Sequence, residues 1–213
     1  MSKVVEYDAV VVGSGPNGLA AAVAIAQAGR KVVVFEASPT IGGGARTAEL
    51  TLPGFRHDVC SAVHPLAAGS PFFRSLPLEE HGLEWVHPDH PLGHPLSPRE
   101  AVIVHRSIVA TSAGLDETDA EEYQRRVGWV VENWDELEGQ LLGPILRIPG
   151  HLGPYLRFGV VGALPATQVM AGFSSEAAKA VFAGAAAHSF LPLNRPLTAA
   201  FGLIYLATAH KWG

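Results

Sequence analysis

The sequence predicts an α/β fold, with a parallel βαβ unit at the N-terminus followed by a mainly helical region. Three observations predict it. An apolar run, Val10-Val11-Val12, stops at Gly13; an Ala- and Leu-rich stretch covers Asn17 to Ala28; and a second apolar run, Lys31 to Glu36, ends on an acid. Short continuous apolar runs suit strands covered on both faces. Parallel pairing of two such strands requires a crossover, which the middle stretch supplies as a helix.

The elements follow in order. Val10–Val12 reads as a buried parallel strand. Asn17 to Ala28 has no breaker after Gly18, so it should be helical. Gly29 stands where a helix C-terminus favours glycine, and Lys31 to Glu36 is the second buried-type strand. After Ser38-Pro39 comes a turn, Gly42-Gly43-Gly44, and then a strand-like piece from Arg46 to Leu52. Pro and Gly recur from Val59 to Pro98, where the pattern predicts one short helix near Phe72–Leu76 and a strand at Leu83–Val86. Ala101–His105 and Ser107–Ala110 are expected to form a hairpin.

Helices dominate the rest. Tyr123, Val127, Val130, Trp134, Leu137 and Leu141 recur at three- and four-residue intervals, the apolar stripe of one helix. Asp116, Glu117, Asp119, Glu121 and Glu122 crowd its start, where the helix dipole favours anions, and read as a solvated face rather than a partner site. Thr118-x-x-Glu121 fits a capping box. Ser175–His188 and Pro196–His210 are two further helices. The expected division is residues 1–65, the N-terminal part of a nucleotide-binding domain, and residues 66–213, a partial, mostly helical substrate or cap region.

Composition narrows the function classes. With 48% apolar and 16% charged residues the chain is neither disordered nor fibrous. Its net charge of −5 and lack of basic runs argue against a nucleic-acid partner. Cys60 is the only cysteine, so no intrachain disulfide can form. Pro154–Phe173 contains Arg157 and Pro165, and Pro196–His210 is too short, so neither reads as a membrane span. No signal peptide is read ahead of Tyr7. The expectation is a cytoplasmic protein with a small-molecule partner, its peripheral membrane association and oligomeric state left open.

The segment that carries chemistry is Gly13-Ser14-Gly15-Pro16-Asn17-Gly18. In a chain with 23 glycines the G-x-G-x-x-G spacing alone says little. Its context raises it: a strand precedes it, it opens a helix, and Glu36 ends the next strand 18 residues after Gly18. This is the Rossmann-like pattern for a dinucleotide. Gly13 allows the tight turn, Gly15 lets the backbone approach a pyrophosphate, and Gly18 lets helix and strand pack closely. The helix N-terminus offers free N–H groups to the phosphates. Glu36 would accept from the adenosine ribose hydroxyls and repel a 2′-phosphate, which disfavours NADP.

FAD and NAD share the ADP group, and the residues after Glu36 separate them. Ile41-Gly42-Gly43-Gly44-Ala45-Arg46-Thr47 resembles the glycine-pair motif that follows the second strand in amine oxidases and carotenoid desaturases. The run GSGPNGLAAAVAIAQAGRKVVVFEASPTIGGGARTAEL, continued by Pro53-Gly54-Phe55, Asp58, Cys60-Ser61 and His64-Pro65, resembles the phytoene desaturase-like FAD oxidoreductases. Within that family it is similar to the group of the pyridine nucleotide-disulphide oxidoreductase domain-containing proteins. The resemblance is strongest over residues 7–80. It implies FAD as cofactor, lined by Gly13, Gly15, Asn17, Gly18, Glu36, Ala37 and Gly43. Many relatives carry Arg directly after the glycine pair; here Gly44 stands there and Arg46 lies two places on. With no second cysteine, a dithiol mechanism is excluded.

His57, Asp58, Cys60 and His64 fall where relatives pass near a flavin ring, but they read as ordinary turn and core residues rather than as a proton relay or flavin contact. His87, His90 and His94 lie in a Pro-rich stretch without ligand geometry and read as a surface loop rather than a zinc site. No hydrolase, NTPase or zincin motif is present. No catalytic side chain or metal ligand is named. The resemblance further implies a chain about twice as long with a discontinuous FAD domain, so the sequence is read as truncated. Three readings compete: an FAD-dependent oxidoreductase or its N-terminal portion, acting on an apolar or amine-type substrate; a non-catalytic fragment keeping an ADP-binding unit; and an NAD-dependent dehydrogenase.

Overall fold

A computed structural model describes residues 5–144 and 148–213. They fall into two compact units, one ending at His64 and one running Pro65–Gly213.

In the first unit, β1 (Ala9–Val12), α1 (Pro16–Gln27) and β2 (Val32–Phe35) form the βαβ crossover. The strands pair in parallel, Ala9 opposite Val32 through Val12 opposite Phe35. The ladder extends at both ends, from the Asp8 amide to the Lys31 carbonyl (2.8 Å) and from the Gly13 amide to the Phe35 carbonyl (2.7 Å). Pro16 sits in the first turn of α1, where its missing N–H costs nothing. Gly29 closes the helix with its amide on the Ala26 carbonyl (2.9 Å). One expectation fails: the strands are not buried on both faces. Val10 is 58%, Val12 85% and Phe35 60% exposed. A single crossover helix covers one face of a two-stranded sheet, and the alternate side chains on the other face stay bare. A one-turn 3₁₀ helix (Gly43–Ala45) then leads into β3 (Thr47–Glu49), which pairs antiparallel with β4 (Arg56–Asp58).

The second unit opens with two one-turn helices, α2 (Pro65–Ala68) and α3 (Pro71–Arg74), the latter capped by the Ser70 hydroxyl. Leu83–Val86 is not a strand. The strand lies further on, in the Pro-rich stretch itself: β5 (Leu92–Ser97) pairs antiparallel with β6 (Glu100–Val104). Pro95 stays opposite Ala101, and the register shifts directly after it, between Pro95 and Ser97, the kind of irregularity at which a strand tolerates proline. The predicted partner of β6 is therefore wrong as well. Ser107–Ala110 begins a helix, α4 (Ile108–Ala113), because the Ser107 hydroxyl accepts the Ala110 amide (3.2 Å) as an N-cap.

The apolar stripe is real but segmented. It runs through α5 (Glu117–Tyr123), a π-helical turn (Gln124–Gly128), α6 (Trp129–Glu132) and α7 (Trp134–Leu141), with a break at Asn133. Tyr123, Val127, Val130, Trp134 and Leu137 are all at most 1% exposed. α5 is capped at Asp116 with no side-chain bond, so Thr118 and Glu121 form no capping box. Asp119 departs from the solvated acidic face: it is fully buried and accepts the amides and hydroxyls of Ser174 (2.6 and 2.9 Å) and Ser175 (2.8 and 2.5 Å).

Among the described residues four more α-helices follow: α8 (Leu152–Gly162), α9 (Ala166–Met170), α10 (Glu176–Ala186) and α11 (Thr198–Trp212). α11 carries Leu203, Leu206 and Ala207 into the core, against Val181 and Phe182 of α10. Three glycines serve as sockets for rings. A Cβ on Gly69 would lie 2.6 Å from the Trp212 ring, one on Gly184 2.1 Å from His94, and one on Gly202 2.8 Å from Phe182. Among the described residues no helix is long and apolar enough to cross a membrane.

Candidate nucleotide-binding site

The first unit gathers the sequence-selected residues at the C-terminal ends of β1 and β2. Gly13 ends β1 in a positive-φ turn, Gly15 is the residue before α1, and Asn17 and Gly18 lie in its first turn. The first-turn amides of a helix have no partner within it and point outward. Gly18 is where the helix meets the strand. A Cβ there would stand 2.2 Å from the Gly13 carbonyl oxygen and 3.6 Å from Val11.

The second glycine turn comes onto this loop. The Gly42 amide donates to the Ser14 carbonyl (3.0 Å). Gly43, at φ +56°, lies so close to Gly15 that a Cβ on it would fall 2.9 Å from the Gly15 Cα. Any side chain at Gly43 would fill the space in which the two backbones meet. Arg46, left without a role by the family pattern, staples the turn: its Nε donates to the Gly43 carbonyl and its Nη1 to the Ser38 hydroxyl, both at 2.8 Å.

Glu36, just past β2, faces the same loop. One oxygen accepts the amide (2.8 Å) and the hydroxyl (2.5 Å) of Ser14, and the other accepts the Ser38 amide (2.8 Å). The Ser14 hydroxyl, helped by the Ser38 and Ser14 amides, holds the Glu36 carboxyl down at about 2, so it is ionised at neutral pH. Ala37 follows on the exposed side. Ser14 and Ser38 are the residues that sequence reasoning missed. The available signal was a hydroxyl at an x position of the glycine motif and another two residues after the acid.

The residues near Gly44 are tied down by ordinary local bonds. The Ser61 amide donates to the Gly44 carbonyl (2.8 Å), and Cys60 is exposed beside Gly44. The His57 ring meets the Thr51 hydroxyl (2.8 Å), Asp58 accepts from Thr47 (3.3 Å), and His64 meets Ser61 (3.4 Å). In the second unit, His87, His90 and His94 have separate neighbours. His87 bonds the Trp212 carbonyl, His90 packs edge-on to His105, and His94 is a β5 residue under α10 rather than part of a loop. A cleft of about 520 Å³ in this unit is lined by Phe73, Leu78, Leu83, Trp85 and Trp212 together with Arg74, whose guanidinium already pairs with Glu138 at 2.5 Å.

Known proteins resemble this chain chiefly where the glycine loops lie. Residues 11–75 match the NAD(P)-binding Rossmann-like domain family. Pyridine nucleotide-disulfide oxidoreductase domain-containing protein 2 of Rattus norvegicus is 42% identical over 79 residues, 37% of this chain and 13% of that protein. A limonene dehydrogenase polypeptide of Castellaniella defragrans is 36% identical over 89 residues, 42% of this chain and 16% of that one. The chain therefore matches under a fifth of the length of these curated relatives. A putrescine oxidase solved with bound putrescine has the same fold, with a TM-score of 0.56 at 21% identity, over 94% of this chain and 41% of that one. Residues 11–75 thus match the NAD(P)-binding Rossmann-like domain family, and part of the chain is similar to part of the pyridine nucleotide-disulfide oxidoreductase domain-containing proteins.

Proposed function

We propose that the first unit holds the ADP portion of FAD and that the protein acts as an FAD-dependent oxidoreductase of the phytoene desaturase-like type. The observation that carries this reading is the close approach of Gly43 to Gly15. Two glycine turns, bonded to each other and pinned by Arg46, make a cradle of bare backbone around one loop. A single glycine loop suffices for a pyrophosphate on a helix N-terminus. A second, built so that no Cβ intrudes, suits a cofactor whose chain continues past the pyrophosphate.

In this reading the amides of Gly15, Asn17 and Gly18 bind the pyrophosphate, with the α1 dipole behind them, because the Gly13 and Ser14 amides are already engaged and Pro16 has none. Glu36 takes a ribose hydroxyl and, being ionised, repels a 2′-phosphate. Gly13, Gly15, Asn17, Gly18, Glu36, Ala37 and Gly43 are the proposed contacts. Bound flavin would supply the two-electron chemistry, with the protein contributing position and electrostatics. The substrate class proposed is apolar, in keeping with the limonene dehydrogenase relative. NAD in the same cradle is the second reading, favoured by the description of the matched domain family.

The test is to purify the chain and record its visible spectrum and the nucleotide it releases on denaturation. Absorbance near about 450 nm with stoichiometric FAD supports the reading, since the cofactor carries its own chromophore. A colourless, soluble protein that takes up NADH and no FAD overturns it.

A further inference from the structure

Glu36 is more fully committed than a ribose-binding acid needs to be. A carboxylate offers about four acceptor positions, two on each oxygen. Both positions on Oε2 are taken by Ser14, one by its amide and one by its hydroxyl, and the Ser38 amide takes one on Oε1. One position remains, on Oε1. Ser14 is only 1% exposed, so its hydroxyl has no water to turn to in place of Glu36. Its carbonyl is also engaged, by the Gly42 amide at 3.0 Å. Ser14 thus joins the glycine loop, the acid and the second glycine turn through one buried residue.

We propose that Ser14 is the positioning residue of this site, orienting Glu36 so that Oε1 alone is offered to a single ribose hydroxyl. Its role is to set the direction and charge of the acid, without touching the nucleotide. This rests on the reading that the loop takes an adenine nucleotide. Two consequences follow. Glu36 stays ionised well below neutral pH, so the acid itself adds no pH dependence to nucleotide binding between pH 7 and the ordinary carboxylate range. Rejection of a 2′-phosphate depends on Ser14 as well as on Glu36, because a carboxylate free to swing can move away from the added charge.

The experiment uses the full chain as wild type, S14A, E36Q and the double variant. ADP and 2′,5′-ADP are titrated calorimetrically, and the Glu36 carboxyl carbon is followed by NMR against pH without nucleotide. In S14A the Glu36 titration is expected to move up towards the ordinary value of 4.5. Loss of a charge-assisted hydrogen bond predicts ADP affinity lower by about 10-fold, with weaker discrimination against 2′,5′-ADP. S14A should have no further effect in the E36Q background. A Glu36 titration unmoved by S14A overturns the proposal. So does an equal loss of ADP affinity in the E36Q background, which would place Ser14 on the nucleotide itself. If wild type takes up no ADP, the nucleotide reading falls and this role with it; the NMR titration then shows separately whether Ser14 governs the acid.

Discussion

Gly18→Ala sets two well-understood effects against each other. Gly18 lies inside α1, and alanine is the better helix former by about 1 kcal/mol. Helix propensity alone therefore predicts a more stable protein. The structure predicts the opposite, because the new Cβ would sit 2.2 Å from the Gly13 carbonyl oxygen and 3.2 Å from its carbon. Both are backbone atoms, so no side chain can turn aside. The start of α1 would have to move off β1 by about 1 Å to restore normal contact distances. Overpacking of this kind costs about 1–3 kcal/mol, which leaves a net loss of about 1 kcal/mol after the propensity gain. The same movement carries the first-turn amides away from a bound pyrophosphate, so ADP affinity should fall by at least about 10-fold. Gly29→Ala is the matched control. It places alanine at φ +74° with nothing within 4 Å, so it should lose about 1 kcal/mol to backbone strain and leave ADP affinity unchanged. Chemical denaturation and calorimetry on both variants decide the matter. A Gly18→Ala protein more stable than its parent, with ADP affinity intact, would refute the close-packing argument.

The helical unit yields three further expectations. Asp119→Asn keeps the shape but turns an NH2 group, which cannot accept, towards the amide and hydroxyl of one serine, Ser174 or Ser175, a loss of about 3 kcal/mol by denaturation. Burial pushes the Asp119 carboxyl up, but the Ser175 and Ser174 hydrogen bonds outweigh it and bring it to about 2. Its contribution is complete above 3.8 and disappears only as pH falls towards 2, so the Asn penalty should be constant from pH 5 to pH 8. Tyr123→Phe removes the hydroxyl that meets His210 Nε2 at 2.9 Å and leaves that nitrogen buried without a donor, for about 1–2 kcal/mol. Burial depresses the pKa of both His210 and His94, the latter aided by nearby His188, from the ordinary 6.5. The unfolded chain then gains protons before the folded one, so stability should fall as pH drops below about 6.5; a denaturation midpoint flat from pH 7.5 to 5.5 would contradict this.

The parts of the fold legible in the sequence were those where one local rule acts without competition. The strand, glycine loop, helix and acid around Gly13–Gly18 and Glu36 needed only short-range chemistry, and the Tyr123–Leu137 stripe only periodicity. Elsewhere two rules competed. Pro95 argued against a strand at Leu92–Ser97, and a bulge removed the objection. Ser107 could extend a hairpin or cap a helix, and its hydroxyl chose the Ala110 amide. Asp119 looked like one more solvated acid until Ser174 and Ser175, some 55 residues away, supplied its donors. In the candidate site the glycines could be read from spacing, while Ser14 could not. Its significance lies in which carboxylate oxygen it meets, and sequence spacing does not contain that information.

The ring-and-glycine sockets of the helical unit bear on how this sequence can drift. Gly69, Gly184 and Gly202 each exist to admit one ring, of Trp212, His94 and Phe182. None of the three glycines can acquire a side chain while its ring stays, and truncating the fully buried Phe182 ring would open a void that costs about 3–5 kcal/mol. Related sequences should therefore change these positions in pairs, glycine with its ring. Such covariation would link residues 143 apart for Gly69 and Trp212 and 90 apart for His94 and Gly184. These three pairings would be a compact signature by which to recognise this helical arrangement in chains whose glycine loops have diverged.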